Sequence, residues 1–223
     1  MDVVSYLLGK KSSGGGGGGS DLDWSAIGFN GTPQSIVDGY NYAVKIKNDW
    51  DDTQTDLSDK FMSDTKLSIM PLVDTSNATS MYRMFYGCQI LTDVALLDTS
   101  NVTNFSNMFD GCKIITTIPK FDTSSATTMK TMFNGCTKLE NVPVLDTSNL
   151  SGSNLLQSAF ASCYNLNNTS LDNILQMCIN ATSYTGTKTL ARLGFDSTYQ
   201  PATTIQALPH YQDFIDAGWT IGY

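Results

Sequence analysis

The chain has 223 residues, of which 15% are charged, and its formal net charge is 13 − 21 = −8. That balance excludes a surface built to neutralise phosphates, so nucleic acid is not an expected partner. No stretch is long and apolar enough to span a bilayer, so membrane insertion is not expected either.

Residues 1–11 read Met-Asp-Val-Val-Ser-Tyr-Leu-Leu-Gly-Lys-Lys. An acid stands where a secretory signal has its basic segment, and the apolar run is short, so no export signal is expected. As about two helical turns, the segment would carry Val3, Val4, Leu7 and Leu8 on one side. Asp2, Lys10 and Lys11 suit the two ends of a helix dipole, and Gly9 is a stop. A helix this short does not stand alone in water. It reads as a peptide that folds on docking, anchored by Val3, Val4, Tyr6, Leu7 and Leu8; a frayed terminus is the competing reading. Residues 12–20 are serine and glycine, a tether spanning roughly 15–18 Å on average. An artificial linker is the alternative there.

Residues 21–56 form an expected N-terminal cap. Thr32 and Pro33 are suited to the N-cap and first position of a helix over 33–50. Its apolar stripe is Ile36, Tyr40, Ala43, Val44 and Trp50, with Ile46 at the edge. Gly39 and Lys47 disturb the pattern.

Residues 57–170 repeat. Asp-Thr-Ser recurs at 74–76, 98–100, 122–124 and 146–148, always 24 residues on. A phenylalanine and a cysteine follow each time: Phe85 and Cys88, Phe109 and Cys112, Phe133 and Cys136, then Phe160 and Cys163, three residues late. Ser151-Gly152-Ser153 marks the insertion that delays the last pair. A fixed period of this size belongs to units that bury their apolar faces only against neighbours. In register, Leu67, Leu91, Ile115, Leu139 and Leu166 form one apolar column. Further columns contain Met70 and Val94, Val73 and Leu97, Met81 and Phe105, Met84 and Met108, and the phenylalanines. Leu57 and Phe61 begin a degenerate half-repeat at 57–66, with Asp64 at the cysteine position. Each unit reads as a short strand followed by a helical turn, since Phe105, Met108, Phe109 and Cys112 lie at helical spacing.

Beyond the repeats, residues 171–223 are expected to close the stack. Leu171, Ile174, Leu175 and Cys178 predict a helix capped by Thr169 or Ser170. Residues 187–195 predict a strand. Residues 207–217 predict a helix facing inward through Leu208, Tyr211, Phe214 and Ile215. The expected fold class is therefore an α/β solenoid of leucine-rich-repeat type: four 24-residue strand–helical-turn units, a helical N-terminal cap and an α+β C-terminal cap.

The run Leu-Thr-Asp-Val-Ala-Leu-Leu-Asp-Thr-Ser-Asn-Val-Thr-Asn-Phe-Ser-Asn-Met-Phe-Asp-Gly-Cys, at 91–112, resembles the BspA-like leucine-rich repeat of bacterial surface proteins in Firmicutes, Bacteroidetes and mycoplasmas. The likeness covers about 57–170. It implies a solenoid used for adhesion and protein contact. The ending Ala-Gly-Trp-Thr-Ile-Gly-Tyr and the opening peptide with its glycines resemble virion-associated proteins of phages and prophages of gut Firmicutes.

Chemistry finds little support. Metal-binding cysteines come in close pairs, usually with histidine; these are 24 apart. A column on an apolar face suits buried thiols, with disulfides between neighbouring turns as the alternative. The Asp-Thr-Ser ladder suits side-chain turns that set a corner, with Ca²⁺ ligation as the alternative. His210 has no nucleophile at motif spacing and reads as a surface residue. The glycines at 14–19 lack the Gly-Lys-Ser/Thr of a phosphate loop. No catalytic residue, cofactor or metal is expected.

What remains is a surface, with Tyr82, Arg83 and Tyr86 as its binding candidates. The expected function is a non-enzymatic virion accessory protein that anchors to virion structural proteins through its N-terminus. It would present the repeats to a host surface protein or glycan, and a homo-oligomer is allowed. A cell-surface adhesin is the alternative.

Overall fold

The computed structural model describes residues 34–151, 156, 158–185, 188–191 and 205–222. The anchoring residues Val3, Val4, Tyr6, Leu7 and Leu8, the tether and the centre of the three-residue insertion lie outside the described residues.

Helix α1 (Gln34–Asn48) precedes the repeats. Its inward face keeps Tyr40, Ala43, Val44 and Trp50 of the expected stripe and adds Tyr42. Ile46 is buried in the main core, with Tyr42 and Trp50 packed against it, while Tyr40 and Val44 pack on buried Ala43. Trp50 lies beyond the last helical residue and donates from Nε1 to the Asp74 carbonyl at 2.6 Å. Gly39, a poor helix former, marks a close approach: a Cβ there would sit 2.1 Å from Ser68 Oγ.

The repeats stack turn on turn in parallel. Strands β1 (Ile69–Met70) and β2 (Asp93–Val94) pair with Ile69 opposite Asp93, an offset of one period. Single parallel bridges join Asp56 to Ser80, Ser80 to Asn104, Asn104 to Thr128 and Thr117 to Asn141. The second half of each unit is not a helical turn. Its N–H groups alternate between two destinations. Arg83, Phe85 and Gly87 donate forward to Ser106, Met108 and Asp110 of the next turn, whereas Met84, Tyr86 and Cys88 donate back three residues. Spacing of i, i+3, i+4 and i+7 puts the right residues inside but cannot tell a helix from this chain of turns, because both bring i and i+3 together.

The alternation needs left-handed backbone at two columns. One contains Gly87, Gly111 and Gly135, with φ of 70°, 77° and 72°. The other contains Asp59, Arg83, Asn107 and Thr131, with φ between 53° and 57°. Glycine takes that region without penalty; a β-branched residue such as Thr131 does not.

Every apolar column read from the sequence is buried, and Ala78, Val102, Ala126 and Leu150 form one more. The rings form a continuous ladder. Trp50 stacks on Phe61 at 6.4 Å, Phe61 on Phe85 at 5.9 Å, Phe85 on Phe109 at 5.2 Å, Phe109 on Phe133 at 5.6 Å and Phe133 on Phe160 at 5.3 Å. These offset stacks add to the area each ring removes from water.

Helix α2 (Asn168–Asn180) covers the far end of the stack. Its cap is Asn167, whose side chain accepts from the Ser170 N–H, in place of the expected Thr169 or Ser170. Ser170 instead bridges to the last turn, donating from Oγ to the Glu140 carbonyl and accepting from the Val142 N–H, both at 2.8 Å. Strand β3 (Thr189–Ala191) pairs in parallel with β4 (Thr220–Gly222). Helix α3 (Tyr211–Asp216) is shorter than the expected 207–217, and Ile215 on it is exposed. Buried Trp219 anchors this end, stacking on Tyr184 at 5.1 Å and Phe214 at 6.1 Å.

Two outcomes follow. Phe109→Ala, in the middle of the ladder, is expected to cost about 3–5 kcal/mol in urea unfolding. Gly111→Val is expected to lower the thermal midpoint more than Gly111→Asn, because asparagine tolerates left-handed backbone and valine does not; equal midpoints would show that the φ of this column is unimportant.

Candidate interaction surface

The recurring polar residues hold one turn to the next. In each Asp-Thr-Ser the aspartate Oδ1 accepts from the serine N–H two residues on: Asp74 from Ser76, Asp98 from Ser100, Asp122 from Ser124 and Asp146 from Ser148, at 2.9–3.0 Å. The buried threonine donates to the next turn: Thr75 to the Asp98 carbonyl at 2.8 Å, Thr99 to Asp122 at 2.7 Å and Thr123 to Asp146 at 2.9 Å. Thr147 ends the series on the Met177 carbonyl of α2. Serine hydrogen bonds hold the Asp74, Asp122 and Asp146 carboxyls below the usual carboxylate range.

Cysteine is used in the same way. Cys88, Cys112, Cys136 and Cys163 are free and buried. Their thiols donate back to the carbonyls of Phe61, Phe85, Phe109 and Phe133 at 2.9–3.1 Å. Burial raises all of them, Cys88 to about 11 and Cys163 to about 12. In the half-repeat, Asp64 takes the cysteine place and turns outward to α1. It accepts from the Tyr42 hydroxyl at 2.5 Å, which pushes that phenol up to about 12.

His210, expected at the surface, is part-exposed and also has a partner. Its Nδ1 lies 2.8 Å from Asp172 Oδ2, and its N–H donates to Asp172 Oδ1 at 2.9 Å, tying the start of α3 to α2. Among the described residues, no group of three or more His, Cys, Asp or Glu side chains is placed to hold a metal ion.

The three candidate binding residues come together. The Arg83 guanidinium carbon lies 5.5 Å from the Tyr82 ring centre and 5.2 Å from that of Tyr86. Arg83 Nε lies 3.0 Å from Asp59 Oδ1, and an Nη2 hydrogen points at Met62 Sδ. The Tyr82 hydroxyl, ahead of Asp59, holds the guanidinium above its ordinary value. Asp59 and Met62 were not among the expected site residues. The period was the available signal: Asp59 is one turn below Arg83, and Met62 is one turn below Tyr86. The left-handed backbone at Arg83 is not special to this group, since Asp59, Asn107 and Thr131 share it. Met62, Tyr86, Ile90 and Ile114 are four exposed large apolar side chains of the first turns.

The fold and surface define a repeat protein in which recurring residues join the turns and varying residues face outward. The chain belongs to the family described as Mycoplasma protein of unknown function, DUF285, whose profile matches residues 55–184, more than half of its length. No curated protein and no solved structure matches it.

The thiols supply a test. In native buffer near neutral pH they are expected to resist a thiol reagent, and all five are expected to react in denaturant; fast native reaction would place the column at the surface. Their folded values are raised above about 8.5, the ordinary thiol value. The linked stability is therefore fully present below that value and lost as pH rises toward the folded values. Urea midpoints are expected to hold near neutrality and to fall above about pH 9.

Proposed function

We propose that the chain is a non-enzymatic display module, a leucine-rich-repeat-type solenoid that serves as an accessory protein of a virion, as a fibre, decoration or tail-associated component. In this reading Val3, Val4, Tyr6, Leu7 and Leu8 dock on structural proteins of the particle, and residues 12–20 tether the stack. The Tyr82, Arg83 and Tyr86 group then meets a protein or glycan of the host surface.

One observation carries the adhesive part: Arg83 is already held between two tyrosine rings and an aspartate in the free chain. Side chains ordered before binding lose less entropy on binding, and Tyr and Arg dominate hot spots for that reason among others. The virion part rests on the likeness of the two chain ends to virion-associated proteins. A bacterial cell-surface adhesin is the second reading. The family description names proteins of mycoplasmas, which are cells, and assigns them no function. The two readings share the surface and differ in the carrier.

Arg83→Ala and Tyr86→Ala are each expected to weaken binding to host cells by about tenfold or more. Their thermal midpoints should stay close to that of the parent chain. Unchanged binding in both variants rejects this surface as the contact. Deleting residues 1–11 is expected to remove the chain from purified particles, and retention rejects the anchor.

A further inference from the structure

A second surface runs along a different stretch of each turn. Two residues before each ladder aspartate stand Leu72, Leu96, Lys120 and Val144; Leu96 and Lys120 are exposed, while Leu72 is half-buried and Val144 packs partly on the core. Leu96 is 57% exposed, the most exposed large apolar side chain among the described residues. Three hollows follow one another along this column. The first, about 530 Å³, lies between Trp50, Leu72 and Leu96. The second, about 290 Å³, lies between Lys120 and Val144. The third, about 640 Å³, lies between Val144 and Ile179 of α2. The second and third share Lys120, Val144 and Asp146 and so are continuous, and the first lies on the preceding turns of the same column.

The charge beside it is one-sided. Asp52, Asp74, Asp98, Asp122 and Asp146 line the hollows, against Lys47 and Lys120. The four ladder aspartates use Oδ1 for the serine two residues on. Among the described residues, no protein donor is found on Oδ2 of any of them. Turns in a parallel stack lie about 4.8 Å apart, so the four carboxylates span about 14 Å. Two or three lysines or arginines on one side of a bound chain can address that length. The carboxylates do not converge as ion ligands do, for no metal-holding group is found among the described residues.

We propose that this groove binds a segment of a partner protein in which lysine or arginine alternates with large aliphatic side chains. The aliphatic groups cover Leu72, Leu96 and Val144, and the cations face the aspartate row. Burial of the aliphatic groups supplies affinity, and the charges supply selection and register. This contact is separate from the Tyr82, Arg83 and Tyr86 surface, and its failure leaves that reading untouched.

The probe is a fluorescent peptide of alternating leucine and lysine, followed by anisotropy against the full chain. A leucine–glutamate peptide is the control. Binding of the lysine peptide alone is expected. The double variant Asp98→Asn, Asp122→Asn is expected to weaken it about three- to tenfold, since two partly screened charge contacts are lost. Leu96→Ser is expected to weaken it without changing its salt dependence. Asp213→Asn with Asp216→Asn, on α3, is expected to leave it unchanged. The proposal is overturned if the α3 variant weakens binding as much as the groove variant, because the attraction is then one of net charge. It is equally overturned if the glutamate peptide binds as well. Tighter binding by Lys10→Ala with Lys11→Ala overturns the partner assignment, since the chain's own N-terminal segment then competes for the groove.

Discussion

The structure depends on how the backbone of each turn divides its hydrogen bonds. Between Arg83 and Cys88, alternate N–H groups close tight turns on residues three back, and the others cross to the next turn. A buried N–H without a partner is costly, so the crossing bonds fix where the neighbour must lie. One period of offset satisfies all of them at once. A slip of one residue would carry the Phe ladder and the left-handed positions out of line together.

That constraint explains the composition. Glycine or a tolerated polar residue recurs where φ is positive, and a flat ring recurs where turns meet. Threonine and cysteine recur where a small side chain must be buried and still find a carbonyl in the adjoining turn. Such residues resemble a chemical motif because they are polar and invariant in register. Their partners are backbone atoms of this same chain, which leaves them engaged in cohesion. The positions free for recognition are those that change from turn to turn. Arg83 occupies a column also filled by Asp59, Asn107 and Thr131. Leu96 occupies one also filled by Lys120.

Much of this was legible in the residues. Stepping 24 positions placed the apolar columns, and the same step would have paired Arg83 with Asp59. The Ala78 column was overlooked because two of its four members, Ala78 and Ala126, are small and break the apolar pattern that Val102 and Leu150 would otherwise show. The helical turn was misjudged because a run of i to i+3 turns and a helix leave the same apolar spacing. The α2 cap was misplaced by two or three residues, since Asn167, Thr169 and Ser170 are all good caps. Only geometry shows that Ser170 is engaged by Glu140 and Val142 instead.

By itself, then, the sequence determined the period, the register and which side chains go inside, because burial and backbone pairing repeat with the residues that satisfy them. Tertiary structure alone decided what the remaining side chains meet. Asp64 reaches Tyr42, His210 reaches Asp172, and Trp50 reaches the Asp74 carbonyl, across separations of 22, 38 and 24 residues. Two of these join a cap helix to another element, and the third seats Trp50, just beyond α1, on the first full turn. None follows from local pattern, because a single hydrogen bond between distant segments leaves no periodic trace. The Arg83 group and the Leu96 groove take their form in the same way, from neighbours supplied by other turns.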